Sequence, residues 1–422
     1  MNIVKNIRKK GYQFLRWSQK YTKTDMVYLV KGGFWFTLKQ VVSTATSFLL
    51  AIAFANLLDS ATYGNYNYIM SFRGILGILT LAGMNTATTQ AVARGLEGSF
   101  YSGFKTRLKW GLSASLIALT IAIYYFLKKN YLLPVPFLIL GLFLPVLQSS
   151  RIYEAFLAGK RLFNIQVKYI SLSQIISTGI IALTLLFTKK LSWIIAIYFI
   201  SNSFLNYFFY LKTKSKFTPN KKEDPKTISY AKHLTLMAII SSIANYLDRI
   251  LLFTLIGSKQ LAVYSFAIIV PDQIKSLIKQ NVGGLAFPKL SIKPKKEIKT
   301  SIMGKFWKLL LFTGIITLVY ILIAPLLYKI LFPKYIESIS YSQLYALTFI
   351  TIPASLLTTI FRAQMMKKEL YLLRIVPLIQ ITLLLILTPT YGILGVIIGQ
   401  IGTVIFHFIL VFFLVNRKYK NV

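Results

Sequence analysis

Four basic residues stand inside stretches that are otherwise apolar: Lys39, Arg73, Arg249 and Lys275. Guanidinium and ammonium groups bind phosphate oxygens through charge-assisted hydrogen bonds, and arginine does so with a planar fork of donors. The chemistry these residues offer is electrostatic capture of an anion such as a diphosphate, which would relieve their mutual repulsion. Lys275 belongs to a stripe in which Asp272, Lys275 and Lys279 are spaced by three and four residues. That spacing puts them on one helical face, just after Pro271, which can bend a helix and free backbone carbonyls. The stripe is expected to face a polar cavity. A structural reading stands beside the binding one: Asp272 pairs with Lys275, Arg151 pairs with Glu154 at the same spacing, and Lys39 snorkels to the membrane interface. Asp248, beside Arg249, is either a fold-stabilising partner or, with Asp272, a candidate to carry a coupling H+ or Na+.

Composition says what must position these groups. The 422 residues are 55% hydrophobic and 15% aromatic, well above what a soluble domain of this length carries. A bilayer core about 30 Å thick needs roughly 20 apolar residues per helix. On that ruler the spans fall near 33–57, 66–84, 105–127, 135–157, 166–187, 191–211, 234–256, 261–281, 305–331, 340–361, 371–389 and 392–415. An ionisable group inside such a span costs about 2.5–3.5 kcal/mol on insertion scales, so each needs a partner, water or a function.

The net charge of +38 would suggest nucleic acid in a soluble protein, but here the bases lie between apolar runs rather than in one patch. They read as topology signals. Lys5, Arg8, Lys9, Lys10, Arg16 and Lys20 crowd the N-terminal tail, and Lys212, Lys214, Lys216, Lys221, Lys222 and Lys226 the sixth connection. Odd-numbered connections are poor in bases, which places both termini in the cytoplasm. The charged break at 212–232 contains Pro219 and Pro225 and divides the spans six and six. The expected organisation is a basic amphipathic segment 1–32, a six-helix bundle 33–211, a cytoplasmic linker 212–232, a second bundle 233–415 and a tail 416–422. Segment Ile3–Trp17 suits an interfacial helix on anionic membrane lipid. The turns at 57–66 and 255–264 are alike, a weak internal repeat related by an axis along the membrane normal.

No cofactor is implied. There is no cysteine, the only imidazoles are His233 and His407, and no phosphate-binding glycine loop or carboxylate metal cluster is visible. Asn245, Gln280, Asn281, Gln364 and Gln400 suit either sugar hydroxyls or helix bridging, with bridging the commoner use of such amides. Tyr66, Tyr68 and Tyr264 read as interfacial belts, and Gly74, Gly77, Gly83, Gly395 and Gly399 as sites of close helix packing.

The run Phe54-Ala55-Asn56-Leu57-Leu58-Asp59-Ser60-Ala61-Thr62-Tyr63-Gly64-Asn65-Tyr66, followed by Asn85-Thr86-Ala87, resembles the start of polysaccharide-repeat flippases, the Wzx-type members of the MOP exporter superfamily. Asp248-Arg249, Tyr264-Ser265-Phe266-Ala267, Phe287-Pro288-Lys289-Leu290-Ser291 and Tyr391-Gly392-Ile393-Leu394-Gly395 continue the resemblance along the chain. It implies an all-α fold of about twelve helices in two six-helix bundles arranged as a V, working by alternating access. The implied cargo is an undecaprenyl-diphosphate-linked oligosaccharide bound for a surface polysaccharide such as O-antigen or capsule, across a bacterial inner membrane. Two other readings compete. A MATE-like cation-coupled exporter would need acids inside the bundle, and only Glu154, Asp248 and Asp272 qualify. A membrane enzyme of envelope synthesis would need a large external loop or an embedded catalytic histidine; the loops are short, and His407 stands alone on an apolar helix.

Overall fold

A computed structural model describes the backbone of residues 26–291 and 295–418, and the side chains of 33–279, 290 and 302–418. Segment Ile3–Trp17, Lys293 and Lys420 lie outside the described residues, as do the side chains of Gln280, Asn281 and Lys289. All regular structure in the described residues is helical. The helices are α1 (Met26–Leu57), α2 (Ser60–Leu79), α3 (Met84–Ala93), α4 (Ser99–Leu127), α5 (Pro134–Ser150), α6 (Ile152–Gly159), α7 (Phe163–Phe187) and α8 (Leu191–Phe217). They continue with α9 (Thr227–Leu255), α10 (Ser258–Ser291), α11 (Lys295–Leu331), α12 (Ser338–Ala346), α13 (Pro353–Ala363), α14 (Lys367–Leu372) and α15 (Ile375–Lys418).

Ten segments are long and apolar enough to cross a membrane, and α2 with α3, bent by 48°, makes an eleventh. The last segment holds two crossings. A straight α15 of 44 residues would be about 66 Å long, twice a bilayer core. Instead Gly392 adopts φ 57° and ψ −128°, which an L side chain cannot reach without strain. Beyond it the chain turns back: Gly395 lies against the Leu387 carbonyl, Gly402 faces Leu383, and Gln380 Nε2 donates to Gln400 Oε1 at 3.3 Å. Replacing Gly392 by Ala is expected to cost about 1–3 kcal/mol, seen as a lowered midpoint of thermal unfolding in detergent; an unchanged midpoint would contradict the tight-turn geometry.

Other boundaries differ from the sequence pattern for identifiable reasons. The second span is α2, starting six residues earlier than expected because the Asp59 carboxylate accepts the Thr62 N–H at 2.9 Å and caps it. It stops at Leu79, where Leu81 takes a positive φ of 60°. The fourth span breaks at Arg151, between α5 and α6, and the tenth is α12 and α13 joined by a 3-10 turn, Leu347–Thr351. The connection expected over 212–232 is helical at both ends and irregular only between Phe217 and Thr227. It is pinned to the turn before α4: Gly98 N–H donates to the Lys222 carbonyl at 2.8 Å, Asn220 N–H to Glu97 at 3.1 Å, and Arg94 pairs with Asp224. The Lys226 N–H, and Arg94 with it, hold the Asp224 carboxyl below its ordinary value. That contact therefore contributes above the ordinary carboxylate range and fades as pH falls through the lowered value.

The outward faces are apolar, as lipid requires. On α11, Leu311, Ile315, Leu318, Leu322 and Leu326 form an exposed stripe at helical spacing, Leu322 being 79% exposed. Inward faces use small residues: Ala114, Ala118 and Ala122 of α4 are buried, with Gly141 of α5 facing Ala118.

A seam joins the first half of the chain to the second. Antiparallel helices α2 and α9 pack along their length, with Tyr68 stacked on Phe253 at 3.7 Å, Gly74 facing the Tyr246 ring, and Gly83 N–H donating to Thr235 Oγ1 at 2.9 Å. The two similar turns meet at one end of this seam, where Gly64 lies against the Ser258 carbonyl. Tyr66, Tyr68 and Tyr264 are not interfacial: they are 7%, 2% and 0% exposed, because these turns face the other half rather than the lipid headgroups.

The apolar cores follow a pattern. At the lysine-poor end one cluster draws on both halves, with Ala51, Phe54, Leu58 and Tyr63 packed with Leu261, Phe266, Phe332 and Tyr335. At the lysine-rich end the described residues form two clusters with no member in common. One is built from residues between Leu81 and Ala231, the other from residues between Leu290 and Val415. Among the described residues the large apolar core common to both halves lies at the lysine-poor end, while at the other end the α2–α9 seam, with Ala231 of α9 inside the first cluster, still joins them.

Candidate anion-binding cavity

The four bases read from sequence stand on α1, α2, α9 and α10, the helices that face one another between the halves. Arg73 projects from α2 with its guanidinium 5.4 Å from the centroid of the Tyr198 ring on α8, and its buried Nε has no hydrogen-bond partner. Gly74, the next residue, faces Tyr246, and Arg249, one turn further along α9, lies 5.8 Å from the centroid of that same ring. The antiparallel register thus brings Arg73 and Arg249 to one depth, with the Tyr246 ring between Arg249 and α2. Among the described residues neither has a carboxylate oxygen within ion-pairing distance.

Asp248 explains why Arg249 is left free. It is 3% exposed and turned the other way, accepting the Tyr264 hydroxyl at 2.6 Å, the Arg249 backbone N–H at 2.8 Å and Gln400 Nε2 at 3.4 Å. Those donors tie α9 to α10 and to the second arm of α15. Gln400 and Gln364 are helix bridges, Gln364 donating to the Leu290 carbonyl at 2.7 Å, while Asn245 is exposed.

Lys275 is paired. Its Nζ lies 2.9 Å from Asp272 Oδ1 and 2.8 Å from the hydroxyl of Tyr345 on α12, and that hydroxyl donates to Asp272 at 2.9 Å. The local pairing expected from the three-residue spacing is therefore present, reinforced by a tyrosine from elsewhere in the chain. Arg151 and Glu154 likewise pair at 2.7 Å. Lys39 is half-buried and makes no ion pair among the described residues. Its neighbour Gln40 reaches Ser276 Oγ at 3.4 Å, and Thr44 reaches Gln273 Oε1 at 3.3 Å. These long contacts hold Lys39 and Lys275 at one level, where α1 crosses α10.

Polar side chains that the sequence reading passed over link the helices that carry these bases. Gln174 of α7 donates to Ser43 of α1 at 3.4 Å while its buried Oε1 stays unpartnered. Gln40, Thr44 and Gln273 belong with it. The signal was available: Gln40 and Thr44 lie four residues apart on one face of an apolar helix, and Gln273 sits inside the charged stripe. A second omission is Arg107 on α4, 2% exposed, whose guanidinium donates to Asn85 Oδ1 at 2.6 Å, the Thr80 carbonyl at 3.3 Å and Gln148 Oε1 at 3.3 Å. It caps the end of α2 rather than facing the cavity.

This group of side chains is thus net cationic: Arg73, Arg249 and Lys39 have no carboxylate within ion-pairing distance among the described residues, Asp248 stands beside Arg249 with its carboxylate turned away, and Lys275 is paired with Asp272. Low-dielectric walls magnify such charge and concentrate anions. Among the described residues no cluster of ligating side chains suits a metal ion.

No curated protein matches the sequence. Among solved structures the chain is similar to the lipid II flippase MurJ in an inward closed conformation, with 14% identity, 92% of this chain and 87% of that one covered, and a TM-score of 0.69. It is also similar to MATE in complex with MaD5, with 12% identity, 93% and 97% covered and a TM-score of 0.62. An inward-facing multidrug resistance MATE transporter of the MOP superfamily matches with 12% identity, 90% and 96% covered and a TM-score of 0.58. These likenesses carry the fold: an all-helical, multi-pass membrane protein of MATE and MurJ architecture. The family profile described as "Polysaccharide biosynthesis protein" matches residues 29–292. With well over half its length inside that match and its helices arranged as in the MOP transporters, the chain belongs to the polysaccharide biosynthesis protein family.

Proposed function

We propose that the chain is a flippase that moves an undecaprenyl-diphosphate-linked oligosaccharide across the bacterial inner membrane by alternating access, on the way to a surface polysaccharide. The observation that carries this reading is the pair of guanidinium groups without an ion-paired carboxylate, Arg73 and Arg249, held at one depth between the halves. A diphosphate brings the counter-charge they lack. The basic end, cytoplasmic by its lysine content, is the end where the apolar cores are separate. Cargo built in the cytoplasm enters there, its phosphates settling between Arg73, Arg249 and Lys39 and its sugars against Gln40, Gln174 and Gln273. Charge neutralisation lets the basic ends close, and the shared cluster at the other end parts to release the cargo. For coupling, the proposed carriers of H+ or Na+ are Asp248 and Asp272, Asp248 becoming available only when its donors from α10 and α15 part as the α9–α10 contact adjusts.

A cation exporter is disfavoured by the same geometry, since the acids of the lining and its neighbourhood, Asp248, Asp272 and Glu154, are each engaged by donors. The test is transport in proteoliposomes loaded with undecaprenyl-diphosphate-linked oligosaccharide. The Arg73→Ala, Arg249→Ala double variant should lose about 100-fold in initial rate, the size expected for removing charged hydrogen bonds to phosphate. A double variant that transports at the parental rate and folds normally would refute the proposal.

A further inference from the structure

The triangle of Lys275, Asp272 and Tyr345 is built unlike the rest of the lining. Its three distances, 2.8 to 2.9 Å, close a ring of hydrogen bonds, and Nζ also lies 4.5 Å from the Tyr345 ring centroid. The lysine side chain is 15% exposed and the aspartate 41%, so the carboxylate stands on the open side of the ammonium. The remaining cavity bases have no such partner. A carboxylate one helical turn away competes for Nζ at a high local concentration, and Tyr345, 5% exposed, holds both groups in register through one hydroxyl.

We infer that Asp272 is a resident counter-anion which the diphosphate of an incoming ligand must displace from Lys275, so that the site admits dianionic groups and rejects neutral lipids. This rests on the proposed anion cargo and adds a selectivity step. In the resting state the Asp272 carboxylate neutralises the Lys275 ammonium locally. When a diphosphate is held by Arg73 and Arg249, its free oxygens offer Nζ more negative charge than one carboxylate does, and the ammonium swings to it. Tyr345 keeps its bond to Asp272, which limits the desolvated charge left behind. On release the carboxylate recaptures Nζ and drives the ligand off. A neutral or zwitterionic headgroup cannot outbid the carboxylate, which gives discrimination against the bulk phospholipids surrounding the cavity.

The test is a mutant cycle read by calorimetric titration of the purified full-length protein, with inorganic pyrophosphate and, separately, undecaprenyl diphosphate in detergent. Asp272→Asn keeps a hydrogen-bond acceptor and removes the charge. It should bind undecaprenyl diphosphate about tenfold more tightly than the parent, within the usual range of a coupling between two sites, and should turn over more slowly in proteoliposomes because recapture is lost. The gain should vanish in Asp272→Asn, Lys275→Met, and Tyr345→Phe should show a smaller gain with the carboxylate intact. A gain seen with both probes assigns the effect to the diphosphate itself; a gain with the lipid alone assigns it to a membrane-anchored headgroup. If Asp272→Asn binds both probes no better than the parent while Arg73→Ala weakens binding, the counter-anion role is overturned and the cargo reading survives. If the parent binds neither probe, the cargo reading falls with it. Matched unfolding midpoints for Asp272→Asn and the parent exclude misfolding, and if Asp272→Asn is unstable, Tyr345→Phe carries the comparison.

Discussion

Cross-linking Asn56→Cys to Lys334→Cys with a short bifunctional thiol reagent is expected to stop transport, and a reducible linker should restore it on reduction. The native chain has no cysteine, so the two introduced thiols are the only ones present. They sit where α1 meets the turn after α11: Lys334 Nζ donates to the Asn56 carbonyl at 2.7 Å and Asn56 Nδ2 to the Leu331 carbonyl at 3.3 Å. Behind them lies the shared cluster, with Tyr63 stacked on Phe266 at 4.5 Å and Phe48 edge-on to Phe332 at 6.1 Å. Each aromatic contact is worth about 0.5–1.5 kcal/mol beyond its buried area, and it is this packing between the halves that a transport cycle would have to break and remake. A covalent bridge cannot be broken that way. Each single variant loses only an exposed polar contact and should transport near the parental rate, whereas the bridged protein should fall to the rate of empty liposomes. Transport by the bridged protein at the unbridged rate would mean that this end does not open.

Much of the architecture was legible because lipid imposes one simple rule on sequence. Twelve apolar runs of about bilayer length predicted twelve crossings, and the break between the spans 371–389 and 392–415 falls at the Gly392 turn. The local pairs Arg151–Glu154 and Asp272–Lys275 were legible too, since three-residue spacing on a helix places side chains side by side. What sequence could not supply were the long-range partners. Tyr345 reaches Lys275 across 70 positions, Gln400 reaches Asp248 across 152, and nothing in either local pattern marks the contact. Tyr66 and Tyr264 misled for a related reason: a tyrosine near a helix end suits a headgroup belt or a buried interface between halves equally well, and only the meeting of the two turns decides. The bend between α2 and α3 was hidden because apolar residues continue through it.

Arg107 and Arg73 make the sharpest contrast, and the second large effect follows from it. Arg107→Ala is expected to destabilise the protein by about 3 kcal/mol, within the range for orphaning a buried polar network and opening a cavity. Its guanidinium satisfies groups at the negative end of α2, where the helix stops at Leu79 and the chain bends 48° into α3. Without it the Thr80 carbonyl, the Asn85 amide oxygen and Gln148 Oε1 lose their donor in a site closed to water, and the cation that complements the helix dipole is gone. Arg107→Lys should recover only part of the loss, because one ammonium cannot reach partners arranged around a planar fork. The readouts separate the two arginines. Arg107→Ala should lower the unfolding midpoint and the amount of protein in membranes, while the molecules that fold bind pyrophosphate as the parent does. Arg73→Ala should change midpoint and abundance little, because its Nε has no hydrogen bond to lose and only the contact with the Tyr198 ring goes, and should weaken pyrophosphate binding. A buried arginine surrounded by neutral acceptors holds a bend together, and an arginine whose donors are unspent waits for a ligand; reversal of the two phenotypes would show that burial and hydrogen bonding had been read the wrong way round.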